Sequence, residues 1–132
     1  MTARDQIRRI LEEEDNFLVA GHANPDGDAL GASAALGFIM RFLGKRVMLY
    51  NESGVPDHFR WLELPAPLVS SLEKLGEQGF TPQRIFVLDS GELERAGEEL
   101  AADDLRERIV NIDHHMANTM FGVVNWVDTS MS

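Results

Sequence analysis

Cysteine is absent from the 132 residues, which excludes disulfides, thiolate metal sites and thiol nucleophiles together and is compatible with a reducing compartment. Basic residues are also scarce: 12 Lys and Arg stand against 22 Asp and Glu, a formal charge of -10. That balance argues against a broad surface that holds long duplex nucleic acid by neutralising phosphates. Any phosphate has to be bound locally, and a pair of divalent cations would reverse the sign of the potential at one spot. Long apolar runs are missing as well. No window approaches the ~20 apolar residues of a membrane span. Met1–Asn16 places Ile7, Ile10 and Leu11 on one helical face among Arg8, Arg9, Glu12 and Glu13, an amphipathic surface helix without the apolar core of a signal peptide. The expectation is a cytoplasmic protein with no membrane partner. The length suits one domain with a real core.

What is present is an alternation of short apolar runs and helical patterns. A helix over about Ala3–Glu14 leads to a strand at Asn16–Ala20, a polar loop, a helix over Ala29–Leu43 and a strand at Arg46–Tyr50. Gly44-Lys45 stops that helix, and Asn51-Glu52-Ser53-Gly54 closes the second strand. From Val55 to Thr81 the pattern loosens around Pro56, Pro65 and Pro67, with short helical turns at Asp57–Leu62 and Ser71–Glu77. A strand from Gln83 to Leu88, a helical stretch near Arg95–Asp103, a strand at Arg108–Ile112 and an apolar run at Val123–Val127 complete the order. This predicts an α/β fold, a mostly parallel sheet with helices on both faces. Phe121 and Trp126 read as core, and His58, beside Phe59, as a surface or packing histidine. Asp128, Thr129 and Ser130 after the last apolar run are small polar residues of the kind that introduce a helix, so the chain reads as the first part of a longer domain.

Three of the strands run directly into residues that bind metals. Phe17–Ala20 leads to His22, Asp26 and Asp28; Ile85–Leu88 leads to Asp89; Ile109–Ile112 leads to Asp113-His114-His115. In an open parallel sheet, ligands gather outside the carboxyl ends of the strands, so these side chains are expected to share one crevice. Carboxylates with imidazoles and no thiolate suit Mn²⁺, Mg²⁺, Fe²⁺ or Co²⁺ better than a structural Zn²⁺. The number of acids favours two ions, roughly 3.5–4 Å apart, with a shared carboxylate.

Each piece has a plainer explanation. A turn and helix cap account for Asp28 alone, though they demand neither His22 nor Asp26. The small residues Gly31–Gly37 permit close packing of the helix on a sheet as readily as an approach to phosphate, helped by the free N–H groups at a helix start. Asp89 by itself is an ordinary turn former. Two adjacent histidines and an acid at a strand end are uncommon as core filling. Their side chains diverge, so one can bind metal while its neighbour meets substrate, with Asp113 orienting an imidazole from behind.

The motifs GHANPDGDALGAS (Gly21–Ser33), VLDSGELERAG (Val87–Gly97) and NIDHHMANTMFG (Asn111–Gly122) together resemble the DHH phosphoesterases. With Asn118, Phe121-Gly122, Asn125 and Val127-Asp128, the resemblance is strongest to the bacterial branch of nanoRNases (oligoribonucleases) and 3′-phosphoadenosine-5′-phosphate phosphatases. It implies one Mn²⁺ on His22, Asp26 and Asp89 and a second on Asp28, Asp89 and His114. Asp89 bridges, and His115 contacts the scissile phosphate or assists the leaving group. Mg²⁺ or Co²⁺ are alternatives to Mn²⁺. The implied reaction is hydrolysis of short oligoribonucleotides or small nucleoside phosphates by an activated water. The family's later aspartate and its C-terminal substrate-binding domain have no counterpart in 1–132. The resemblance therefore implies a partial DHH domain, weakly active or inactive by itself.

Two other functions use the same residues. An exopolyphosphatase or pyrophosphatase would need the same ligands, and a non-catalytic metal- or phosphate-binding module could keep the fold without turnover. Whether the chain forms a homodimer is left open at this level.

Overall fold

The computed structural model describes residues 1–22, 27–114 and 116–128, with the backbone alone at 27–29 and 103. Thr2 starts helix α1 (Ala3–Glu13), its hydroxyl accepting the Asp5 N–H at 3.1 Å. The apolar face of the helix buries Ile7 and Ile10. Asn16, at φ 56°, turns the chain into strand β1 (Phe17–Gly21). Helix α2 (Gly27–Phe42) returns antiparallel to the strands and ends in a Schellman motif: Lys45 N–H reaches Met40 O at 3.0 Å and Gly44 N–H reaches Arg41 O at 2.9 Å, with Gly44 at φ 79°. Strand β2 (Val47–Tyr50) closes the first βαβ unit, and the turn expected at Asn51–Gly54 forms, with Gly54 N–H on Asn51 O at 2.9 Å.

Six strands make one sheet in the order β3-β2-β1-β4-β5-β6, every pair parallel. Beyond β2 lie β3 (Leu68–Val69), α3 (Leu72–Glu77), β4 (Arg84–Leu88), β5 (Ile109–Asp113) and β6 (Val124–Val127). The chain builds outward from β1 to β3, then crosses to the other side of β1 for β4. The order reverses between β1 and β4, and loops that leave these two strands diverge to open a crevice there.

Alternation along the strands sorts the core into two layers. Phe17 and Val19 of β1, with Leu49, Phe86, Leu88 and Val110, pack under α1 and α2 through Ile7, Ile10 and Met40. Leu18 and Ala20, with Tyr50, Ile85, Val87 and Ile109, face Leu75 of α3 and Leu93, Ala96 and Leu100. β1 is buried at all five positions, as a strand covered on both faces must be.

Three expectations need correction. The helix near Arg95–Asp103 is a series of 3₁₀ turns, Leu93–Arg95, Glu98–Ala101 and Asp103–Arg108. Gly97 interrupts them where the chain passes so close to Tyr50 that a Cβ would stand 2.8 Å from its hydroxyl. The short β3 lies beside Pro67 and is two residues long, too brief for alternation to show; its pairing is visible in Leu49 N–H on Pro67 O at 3.0 Å. Trp126 is not core: on the last strand it is 37% exposed, bordering a hollow it shares with Ile7, Leu11 and Leu43. Phe121 is partly buried against the layer that contains Leu18, Ala20 and Ile109. His58 is exposed, its ring tilted on Phe59 at 4.2 Å.

Candidate metal centre

Strand register decides what meets at the carboxyl rim. Gly21 pairs with Leu88, and Leu88 with Ile112. One step further along each strand stand His22, Asp89 and Asp113, a row across adjacent strands ~4.8 Å apart. Asp89 N–H on Ile112 O at 3.0 Å continues the ladder into this row. Asp89 then leaves the strand at φ 55°, a left-handed conformation that short polar residues tolerate better than bulky ones.

Asp89, Asp113 and His114 each bring one donor atom within 4.8 Å of the other two. His114 Nε2 stands 2.8 Å from Asp89 Oδ1. Two donors on one octahedral cation, each about 2.1 Å from it, stand about 3 Å apart, so the pair fits a hard divalent ion, and the carboxylate and imidazole chemistry fits as well. The side chains of Asp89 and His114 are 30% and 41% exposed, open enough to admit an ion and a ligand. Asp113 is buried, 6% exposed.

His22 lies at the end of β1, its carbonyl accepting Asn51 Nδ2–H at 3.0 Å. The residue that closes β2 therefore steadies the backbone where the loop of the first motif begins. Asp26, His115 and the side chain of Asp28 fall outside the described residues.

A group of asparagines, unassigned by the sequence reading, supports the cluster. Asn111 is fully buried in β5. Its amide donates to Val87 O at 3.1 Å and Ser90 O at 3.3 Å, and its Oδ1 accepts Asn118 Nδ2–H at 2.7 Å. Asn118 Nδ2 also donates to Asp113 Oδ2 at 2.8 Å, and Asn118 Oδ1 accepts Met120 N–H at 2.6 Å. Thr119 N–H on Gly91 O at 2.8 Å ties the same loop to the turn after Asp89. The loops that follow β4 and β5 are thus joined through Asn118 and Thr119, whose side chains also reach Ser90 O and Gly91 O. A polar residue inside an otherwise apolar strand was the sequence signal for Asn111. Asn118 had its place in the third motif but no visible partner.

Residues 16–132 match the family described as DHH family, N-terminal domain. Among curated proteins, the chain is 33% identical over 117 residues to the bifunctional oligoribonuclease and PAP phosphatase NrnA of Thermus thermophilus, a match covering 89% of this chain and 33% of that protein. It is 26% identical over 132 residues to the NrnA of Bacillus subtilis, covering 98% and 38%. The chain thus spans about a third of the length of these relatives. Among solved structures, an exopolyphosphatase-related protein from Bacteroides fragilis superposes with a TM-score of 0.75 at 22% identity, over 96% of this chain and 38% of that one; at this identity the likeness speaks for the fold. A parallel α/β sheet with carboxylates and a histidine gathered at its carboxyl rim, together with these matches, identifies the chain as a member of the DHH family, within its N-terminal domain.

Proposed function

We propose that the chain carries the metal-binding part of a phosphoesterase that hydrolyses short oligoribonucleotides or small nucleoside phosphates. The observation that carries this reading is the meeting of Asp89, Asp113 and His114, from the ends of two adjacent strands, within 4.8 Å. In this reading His22, Asp26 and Asp89 hold one Mn²⁺, while Asp28, Asp89 and His114 hold the other. When bound, a pair of divalent ions lowers the pKa of water and offsets charge developing on the phosphate. Asp89, at the centre of the row, is the residue able to serve both ions. His114 presents Nε2 toward the Asp89 carboxylate. Asp113 stays behind them, held by Asn118, and restrains the strand end from which both histidines emerge. His115 contacts the scissile phosphate. The acidic remainder of the surface, at -10 overall, confines a polyanion to this spot.

The test is release of mononucleotide or phosphate by the protein encoded in the reading frame that contains residues 1–132, with Mn²⁺, from oligoribonucleotides, a nucleoside bisphosphate and polyphosphate in parallel. Turnover of the first two with loss in Asp89→Ala supports the reading. Turnover of polyphosphate alone would replace the substrate class, and none from any of the three would remove the hydrolase reading.

A further inference from the structure

Ser90, the residue after Asp89, carries a hydroxyl that the fold buries without using. The residue is 0% exposed, and its Oγ has no hydrogen-bond partner among the described residues. Buried hydroxyls are nearly always paired, because removing one from water without a partner is costly. Packing does not demand serine here, since alanine fills almost the same space with no polar atom to satisfy. The backbone around the side chain is held. Ser90 O accepts Asn111 Nδ2–H at 3.3 Å and Asn118 Nδ2–H at 3.5 Å. A hydroxyl fixed in this way reaches a partner only by rotation of its own side chain.

Asp89 has the opposite shortage. Among the described residues its carboxylate accepts from one group, His114 Nε2 at 2.8 Å, whereas Asp113 has Asn118 Nδ2 at 2.8 Å to steady it. On the reading proposed above, Asp89 and His114 face a divalent ion. An ion between them engages the atoms that otherwise bond to each other, and the carboxylate is left without a donor where its angle matters most. Ligating carboxylates are as a rule hydrogen-bonded from behind.

We propose that Ser90 is the positioning residue for this carboxylate: its hydroxyl donates to Asp89 when the ion is bound and stands unpaired when the ion is absent. The inference rests on the metal role given to Asp89 above. The donor without an acceptor and the acceptor that loses its donor are consecutive residues, so rotation of side chains joins them with no shift of the strand. The metal-free chain carries an unpaired hydroxyl that ion binding satisfies, which links affinity for the ion to the stability of the turn after β4.

Ser90→Ala and Ser90→Thr in the 132-residue chain separate this role from a structural one, with Mn²⁺ as the probe. Differential scanning fluorimetry without metal reads stability, and isothermal titration calorimetry with MnCl₂ reads affinity. Ser90→Ala removes an unpaired polar atom, so it should raise the metal-free melting temperature by about 3–8 °C, where most substitutions at buried sites lower it. The same variant should bind Mn²⁺ about 10–100-fold more weakly. Ser90→Thr keeps the hydroxyl and adds a methyl to a filled site, so it should melt lower than the unaltered chain and keep most of its Mn²⁺ affinity. A metal-free Ser90→Ala that melts lower than the unaltered chain overturns the proposal, because the hydroxyl then has a partner without metal. An equal loss of affinity in both variants overturns it as well, by placing the effect in side-chain volume. Mn²⁺ binding that is lost in Asp89→Ala and untouched in Ser90→Ala removes this inference alone. No Mn²⁺ binding by the unaltered chain removes the metal reading of Asp89 and this inference with it.

Discussion

Asp89 Oδ1 and His114 Nε2 lie 2.8 Å apart although 25 residues separate them in the chain. Their strands bring them there: β4 and β5 are neighbours in register, and each residue sits just past its strand's carboxyl end. Mn²⁺ bound by this pair should raise the melting temperature. At a hundred times the dissociation constant the gain is about 2.7 kcal/mol, worth several degrees in a domain of this size. Asp89→Ala should abolish most of that rise, measured by differential scanning fluorimetry with and without MnCl₂. An equal rise in both proteins would remove Asp89 from the metal site.

Asn118→Ala should hurt twice. The buried Asn111 Oδ1 loses its 2.7 Å donor, at a cost of about 1–3 kcal/mol for the orphaned acceptor, and Asp113 Oδ2 loses a 2.8 Å hydrogen bond. The loosened Asp113 should also weaken Mn²⁺ binding about 10–100-fold. Urea unfolding gives the first quantity and isothermal titration calorimetry the second. Unchanged metal affinity in a destabilised protein would make Asn118 a strut of the fold alone.

Gly122 sits where no side chain fits. A Cβ there would stand 2.7 Å from Val124 O, 3.0 Å from Ile109 O and 3.1 Å from Asn111 N, all backbone atoms of the β5–β6 pair that cannot turn aside. Gly122→Ala should therefore cost about 1–3 kcal/mol. Gly31→Ala, with nothing within 4 Å, is the control and should be neutral or slightly stabilising through helix propensity. Thermal unfolding of the two variants compares them directly, and equal melting temperatures would contradict the contact argument.

Asp15 joins the beginnings of three strands. Its carboxylate accepts the Arg46 and Asn16 N–H groups, each at 2.8 Å, and its own N–H donates to Gln83 Oε1 at 3.0 Å. The backbone bonds from Arg46 and Asn16 hold its pKa below the ordinary 3.8. A carboxyl group with a depressed folded pKa adds stability that is complete above 3.8 and fades as the pH falls through the lower folded value. Asp15→Asn should thus lower stability at pH 7, within about 0–1 kcal/mol because the group is exposed and screened. The gap should narrow on acidification below 3.8. Denaturant midpoints across the acid range check it, and a gap constant with pH would rule out the charge as its source.

Much of this molecule was legible because parallel strands buried on both faces leave near-continuous apolar runs. Phe17–Ala20, Ile85–Leu88 and Ile109–Ile112 each announced a strand and pointed to the residue at its end. Asp89, Asp113 and His114 could be picked out because metal-binding residue types are conspicuous at such ends. What stayed hidden depends on packing rather than local pattern. The two-residue β3 has no period to display, and Gly97 breaks a helical pattern because of a neighbour distant in sequence, Tyr50. Trp126 looked like core because hydrophobicity says nothing about whether a strand is the last in its sheet. The Asn111–Asn118 link needs the fold before either residue has a partner.

The three strands that end in His22, Asp89 and Asp113 are interior members of the sheet, each bonded along both edges. Fraying begins at borders, where one side of the ladder is open to solvent. The short β3 and the outermost β6 should therefore exchange their amide hydrogens through small local openings, while Val19, Phe86 and Val110 should exchange only when the whole domain comes apart. The rim that gathers Asp89, Asp113 and His114 is then as durable as the protein itself, and an ion bound there would be released by dissociation without any prior loosening of its scaffold.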